Sequence, residues 1–391
     1  MWFFRSPEIV FGPDALDYLR DLQGKRALVV TDANMEKLGL LQLVTSRLER
    51  ARIGAAVYAE VEPNPSLETV RRGAALALTY EPDWVIGLGG GSCLDAAKAI
   101  WVLYERPDLE PDAIAPVGTL GLRKKARLIA IPTTSGTGAE TTWPIVLSDL
   151  TEERKLALGH PENMPDIAIV DPALTANLPA QITADTGMDA LTHAIEGYTS
   201  LWSNDYSDGL CLSAAHMVMQ YLERACASAS GGADSVAREK MHNAACIAGL
   251  GFGNSMATLS HALGHSLGAV FPVPHGRAVG LFLPYTIEYT ARGHAPTRYG
   301  DLARFLGLTA DSELEASASL VGAIRGLAER VGQPLTLEQA GISADDFEAR
   351  LPKLVENALC DSCAVLGLRA PSEDELGQLL RYAYGGQSID F

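Results

Sequence analysis

The stretch DWVIGLGGGSCLDAAK, residues 83–98, decides the fold. Its first half is a short apolar run with no polar interruption after Asp83, the pattern of a strand buried on both faces. Three consecutive glycines, Gly89, Gly90 and Gly91, end that run, and Ser92, Asp95 and Lys98 follow at helical spacing. A strand that turns through glycine into a helix is the repeating joint of a parallel sheet covered by helices. The same joint makes an anion cradle, because backbone amides without side chains crowd a helix N-terminus where the dipole favours negative charge. The glycines also suit a tight turn that needs positive φ. The spacing is neither the G-x-G-x-x-G fingerprint nor a Walker loop.

Working outward, RALVVTD (26–32), AAVYAEV (55–61), ARLIAIPTT (126–134) and DIAIVDPAL (166–174) read as further buried strands, and LLQLVTSRLERA and SLETVRRGAALALTY as the helices between them. A polar hairpin is expected around IVLSDLTEERKLALG. From about Gln181 the character changes to long Ala-, Leu- and Gly-rich helical stretches such as MDALTHAIEGYT and VAREKMHNAACIAGLG. The expectation is an α/β nucleotide-binding domain over residues 1–181, a parallel sheet flanked by helices, followed by an all-α domain over 182–391. SASGGADS (228–235) reads as a turn between two helices.

The helical half carries the chemistry. Asp189 and His193 stand at i and i+4, one face of a helix, within reach of one ion. Further along, His261, His265 and His275, three of the chain's eight histidines, fall in the run SHALGHSLGAVFPVPHG. A carboxylate with several imidazoles suits Fe(II), Zn(II) or Ni(II) better than magnesium or calcium, which prefer all-oxygen shells. Each histidine alone would read as a packing residue, but their clustering among small apolar neighbours favours a metal site. On pattern alone, His261 and His265 compete for the third ligand position.

Composition bounds the rest. With 391 residues the chain is long enough for two cores, and its formal charge of -17 offers no basic footprint for nucleic acid or an anionic membrane. No secretory signal and no apolar run near the length of a membrane span is read, so a soluble cytoplasmic protein is expected. Six scattered cysteines make no disulfide framework, and the Cys360–Cys363 pair, with no second CxxC, reads as packing or tolerated thiols.

Two more segments bear on a cofactor. IPTTSGTGAETT (131–142) stacks small hydroxyl residues after a strand, where they would ring a ribose or nicotinamide amide or form an ordinary polar loop. Asp32 ends an early strand, where a carboxylate accepts hydrogen bonds from an adenosine ribose and repels a 2′-phosphate; capping the next helix is the competing role.

Taken together, GGGSxxDxAK, PTTSGTGAE, GMDALTHAIEGY and HALGHSLGAVFPVPHG resemble the iron-containing, group III alcohol dehydrogenases, in that family's order and approximate spacing. The resemblance runs from FGPDAL near the start through PNP (63–65) and DPAL (171–174) to the helices with the histidines. It implies an NAD(P)-binding α/β domain, an all-helical domain, and a cleft between them for metal, nicotinamide and substrate. It further implies that Asp189, His193, His261 and His275 are the metal ligands, with Fe(II) the first expectation, and that His265 handles the substrate's proton. Gly89, Gly90, Gly91, Ser92 and Asp95 match the pyrophosphate loop; Thr133, Thr134, Thr137, Thr142 and Lys155 line the cofactor; Asp32, with Asn64 nearby, favours NAD over NADP. The activity implied is hydride transfer between nicotinamide and a small alcohol, diol or aldehyde, in a homo-oligomer such as a dimer. A lyase of the dehydroquinate synthase type or a glycerol dehydrogenase-like enzyme shares the fold and is the alternative. Two features depart from the pattern: VLGLRAPSEDELGQLLRYAY replaces the asparagine-proline-arginine element common before the last helix, and Trp143 and Trp202–Asp205 are idiosyncratic.

Overall fold

Strands that alternate with helices along the chain pair side by side in space, because a parallel connection must cross over one face of the sheet. In the structure, a computed structural model that describes residues 3–229 and 234–391, six strands do so. They are β1 (Glu8–Phe11), β2 (Arg26–Val30), β3 (Gly54–Tyr58), β4 (Trp84–Gly89), β5 (Arg127–Pro132) and, later in the chain, Ile167–Val170. Between β5 and that last strand lies an antiparallel hairpin, β6 (Pro144–Asp149) and β7 (Arg154–Gly159), so Ile167–Val170 is β8. The sheet order is β1-β8-β5-β4-β2-β3, every pairing parallel. The helices among these strands are α1 (Ala33–Lys37), α2 (Leu40–Arg50), α3 (Leu67–Tyr80) and α4 (Gly91–Glu105).

Successive residues of the central strands enter opposite cores, as the two-residue period requires. Leu28, Val30 and Val85 pack with Val70, Ile100 and Trp101 from α3 and α4. Ala27, Val29, Ile86 and Leu88 pack with Leu16, Leu19, Val44 and Leu48 on the other face. Every residue of β4 is buried, which its uninterrupted apolar run required. The strands read from sequence are present, and so is the hairpin; β1 was not foreseen. EIVF is only four residues long and lies at the sheet edge with Phe11 69% exposed, so it carries little of the apolar signal that marks a buried strand.

The remaining helices are α5 (Ala180–Thr199), α6 (Asp205–Ser228), α7 (Ser235–Phe252), α8 (Leu259–Val270), α9 (His275–Ala291), α10 (Tyr299–Phe305), α11 (Glu313–Arg330), α12 (Ala344–Cys360) and α13 (Glu373–Gly385). Two cores hold them. One gathers Leu191, Ile195, Val218, Leu222, Leu283 and Ile324; the other gathers Leu263, Phe282, Phe347, Leu354 and Leu379. The chain divides into two compact units, Met1–Thr134 with Gly138–Asn177 and Ser135–Thr137 with Leu178–Phe391. Gly136 explains the three-residue excursion: a Cβ there would collide with Thr186 of α5, so only glycine lets this strip of the threonine-rich loop lie against the helix. Residues 230–233 of the expected SASGGADS turn lie outside the described residues. No helix among the described residues is long and apolar enough to cross a membrane.

Candidate metal centre and nucleotide loop

Helix α5 is buried on nearly every side from Thr183 to Thr199, so the polar residues it carries need internal partners. Asp189, His193 and Glu196, at i, i+4 and i+7, form one polar stripe along it. Helices α8 and α9 bring the other donors to that stripe. They approach closely because glycine stands at the contacts: a Cβ on Gly276 would strike the carbonyl oxygen of Asp185, and one on Gly264 would strike Val279. Gly276 therefore seats the start of α9, and His275 with it, against α5.

Asp189 Oδ1 is the hub of the resulting site. It lies 3.6 Å from His193 Nδ1, 3.8 Å from His261 Nε2 and 3.6 Å from His275 Nε2. His193 Nε2 and His261 Nε2 face each other at 2.9 Å. One donor atom from each of Asp189, His193 and His261 lies within 4.8 Å of the others, and all three residues are buried; His275 closes on Asp189 from a half-buried position. His193 stacks on Phe252 with ring centroids 3.9 Å apart, which fixes its plane.

Burial and the neighbouring His261 hold the pKa of His193 well below the usual imidazole range, so it is neutral and carries a free lone pair. At His261 burial acts the same way, but the Glu196 carboxylate 2.5 Å from Nδ1 outweighs it and raises the pKa. One buried carboxylate oxygen with imidazole nitrogens converging on it, and an outer carboxylate on one ring, is a donor set that fits a divalent first-row cation.

His265, one turn beyond His261 on α8, points elsewhere. Its Nδ1 lies 2.7 Å from Asp361 Oδ2, and its ring stacks on His275 with centroids 5.2 Å apart. Asp361, just past α12, also accepts from the Cys363 amide, so His265, Asp361 and Cys363 form a second compact group of donors. Sequence reading passed over both Glu196 and Asp361. Glu196 was legible, seven residues after Asp189 on the same face. Asp361 was not, since nothing local ties it to a histidine 96 positions earlier.

In the sheet-bearing unit, the glycine turn joins β4 to α4. Gly89 has φ 146°, and a Cβ there would run into Cys93, so glycine is obligatory. Gly90 occupies the N-cap of α4 without a side-chain cap, and Gly91 and Ser92 begin the helix. Ser92 Oγ accepts from the Asn64 amide at 3.2 Å, tying the PNP loop, where Asn64 has φ 57°, to the turn. Thr134 lies against Gly90, and the Thr133 amide donates to the Gly89 carbonyl. Asp32 caps α1 through Oδ1, accepting from Asn34 and Met35, while Oδ2 lies 3.4 Å from Cys93 Sγ beside the turn.

Other predicted cofactor residues are placed apart from the turn. Asp95 accepts from the Val146 amide of β6 and lies 3.5 Å from the buried Lys98 Nζ, which also reaches Thr142 Oγ1 and the Pro144 carbonyl. Lys155 stands on β7 opposite Ser148, and Thr137 belongs to the strip against α5. Trp143 packs beside Gly159 at the base of the hairpin; Trp202 is 45% exposed, and Asn204 caps α6 in a reciprocal box with Ser207. In the altered C-terminal element, Arg369 donates to the Tyr289 and Phe391 carbonyls and to Glu375.

The iron-containing alcohol dehydrogenase model matches residues 6–172, and the model of that family's C-terminal domain matches residues 183–384. The chain belongs to the iron-containing alcohol dehydrogenase family. With that membership goes NAD(P)-linked alcohol dehydrogenase chemistry, and the lyase alternative is not favoured. This dehydrogenase is 37% identical to the NADPH-dependent butanol dehydrogenase of Clostridium saccharobutylicum over the full length of both chains. It is also 37% identical to the aldehyde-alcohol dehydrogenase of Streptococcus pneumoniae serotype 4, matching 98% of its own length and 46% of that protein's. Among solved structures, a 1,3-propanediol oxidoreductase superposes with a TM-score of 0.89 at 33% identity, covering 98% of this chain and all of the other.

Proposed function

We propose that Asp189, His193, His261 and His275 hold a divalent cation, Fe(II) before Zn(II) or Ni(II), and that the enzyme oxidises small alcohols or diols and reduces the matching aldehydes. The observation that carries this is the convergence of three imidazoles on the single buried oxygen of Asp189. When bound, such an ion supplies the positive charge that lowers a substrate hydroxyl's pKa or polarises a carbonyl. The four side chains fix where that charge sits, and the buried setting keeps water from diluting it.

His265 takes the proton that leaves the hydroxyl, and Asp361 holds the ring's other nitrogen so that Nε2 stays aimed for the transfer. The sheet-bearing unit, which ends at Asn177 against the expected boundary at 181, is read as the NAD(P)-binding domain and holds the pyrophosphate on the amides of Gly91 and Ser92 at the start of α4. Asn64, Thr133 and Thr134 border that turn, while Thr137, Thr142 and Lys155 carry the cofactor reading on family resemblance. Asp95 serves it indirectly, by fixing β6. Asp32 Oδ2 accepts from the adenosine ribose, which favours NAD, although the butanol dehydrogenase relative is named for NADPH. The helical unit is read as the metal-binding and catalytic domain, and the working form as a cytoplasmic homo-oligomer.

The test is reconstitution. Metal-free protein loaded anaerobically with Fe(II), Zn(II) or Ni(II) should produce NADH from a panel of short alcohols and diols. Turnover equal with and without metal would sink the reading.

A further inference from the structure

The Glu196 carboxylate touches no predicted ligand except His261, and the mechanism above gives it nothing to do. Yet it is one of the most completely engaged groups in the helical unit. Oε1 accepts from the Thr258 hydroxyl at 2.8 Å and the Ser260 amide at 2.6 Å. Oε2 accepts from the Thr258 amide at 3.0 Å and faces His261 Nδ1 at 2.5 Å. Thr258 is the N-cap of α8 but makes no side-chain cap of its own, so a residue on α5 caps α8 in its place.

We propose that Glu196 is a positioning residue for His261: it fixes where α8 starts, and it holds the His261 proton on Nδ1 so that the Nε2 lone pair faces Asp189 and His193. This rests on the reading of those residues as cation ligands.

Three of the four neighbours, two backbone N–H groups and a hydroxyl that bonds nothing else at this end, act as donors. An ionised carboxylate is the one side chain of this size that accepts on both sides and donates on neither. The fourth neighbour, His261 Nδ1, must then also donate. With the proton kept on Nδ1, the nitrogen left to face a cation is Nε2, the atom 3.8 Å from Asp189 Oδ1 and 2.9 Å from His193 Nε2. A carboxylate behind a ligating histidine also makes the ring a better donor to a cation. The stripe on α5 is therefore divided in function: Asp189 and His193 face the cation site directly, and Glu196 reaches it through His261.

Glutamine at this position keeps the shape and loses the pattern. Whichever way its amide is turned, the NH₂ meets a backbone N–H, of Ser260 or of Thr258. In the second orientation the NH₂ also meets His261 Nδ1, and that contact becomes a hydrogen bond only if the proton of His261 moves to Nε2, which then cannot ligate.

The experiment measures metal binding directly, by competition of Zn(II) with a chromophoric chelator and by the visible spectrum of Co(II), in the parent, Glu196→Gln, Thr258→Val and His193→Ala. Glu196→Gln should weaken Zn(II) binding by about 10- to 100-fold and change the Co(II) spectrum. Thr258→Val removes another hydrogen bond from the same carboxylate and should lower Tm while leaving Zn(II) affinity and the Co(II) spectrum unchanged. If both variants lose Tm and neither loses affinity, Glu196 is only a staple for α8 and the proposal is overturned. Should Glu196→Gln not fold, nitrogen NMR of histidine-labelled metal-free parent decides: the Nδ1–H form of His261 is expected, and the Nε2–H form overturns the proposal. If His193→Ala binds Zn(II) as tightly as the parent, it is the metal reading that fails.

Discussion

Asp361 Oδ2 lies 2.7 Å from His265 Nδ1, joining the end of α12 to the middle of α8 across 96 residues of sequence. The bond fixes one ring nitrogen of a histidine that stacks on His275 without belonging to the group around Asp189. In the proposed function this is the histidine that moves the substrate's proton.

Its removal should therefore separate chemistry from metal content. His265→Ala is expected to lower kcat by about 10²-fold, with one metal per chain retained by elemental analysis. Asp361→Asn should lower kcat in the same direction by a smaller factor, again without metal loss. Loss of metal in His265→Ala would make it a ligand.

Gly276 is the close contact between α9 and α5. Gly276→Ala places a methyl on the carbonyl of Asp185, a backbone atom that cannot swing aside. Overpacking of this kind costs about 1–3 kcal/mol. The variant should melt at lower temperature by calorimetry and bind Zn(II) more weakly, because His275 moves with the helix start. Unchanged affinity would show that His275 sits apart from the ion.

Asp32 caps α1 and, in the proposed function, also faces the adenosine ribose; one substitution separates the two roles. Asp32→Ser keeps an oxygen able to cap α1, where losing the cap altogether costs about 1 kcal/mol. It removes the charge that would repel a 2′-phosphate in the proposed cofactor site. Tm should hold, and the ratio of kcat/KM for NADP to that for NAD should rise by roughly tenfold or more, since about 1.4 kcal/mol of relieved repulsion is worth that factor. A constant ratio would leave Asp32 a capping residue alone.

Glu140, at the end of the threonine-rich loop, is buried, and burial pushes its carboxyl from 4.5 up to about 7, with Lys98 drawing it back only in part. The folded protein thus binds this proton more tightly than the unfolded chain does. Its contribution to stability is full at pH 4.5 and below, and it is lost as the pH rises through about 7. Glu140→Gln should match or trail the parent's Tm at pH 5 and exceed it at pH 8. A constant Tm difference across that range would rule the titration out.

Much of the fold was legible because it rests on periodicity. The uninterrupted apolar runs LVV and VIGL announced strands covered on both faces, and the positions of Asp189 and His193 announced a shared helix face. What escaped was set by tertiary geometry. The short edge strand EIVF is a strand only because β8 lies beside it. The strip Ser135–Thr137 groups with the helices because Gly136 has no Cβ to hold Thr186 away. Asp95, which the family resemblance matches to the pyrophosphate loop, also accepts from the Val146 amide of β6, a partner that no short-range signal would have placed there.

Asp189, His193 and Glu196 span eight consecutive positions of one helix, and a helix turns about 100° per residue. A single inserted or deleted residue inside that window would leave α5 helical yet carry its later members a quarter-turn or more around the axis, away from α8. The window is therefore rigid in length as well as in composition. Descent with altered loops is open to this protein; a change of one residue in the count between Asp189 and Glu196 is not.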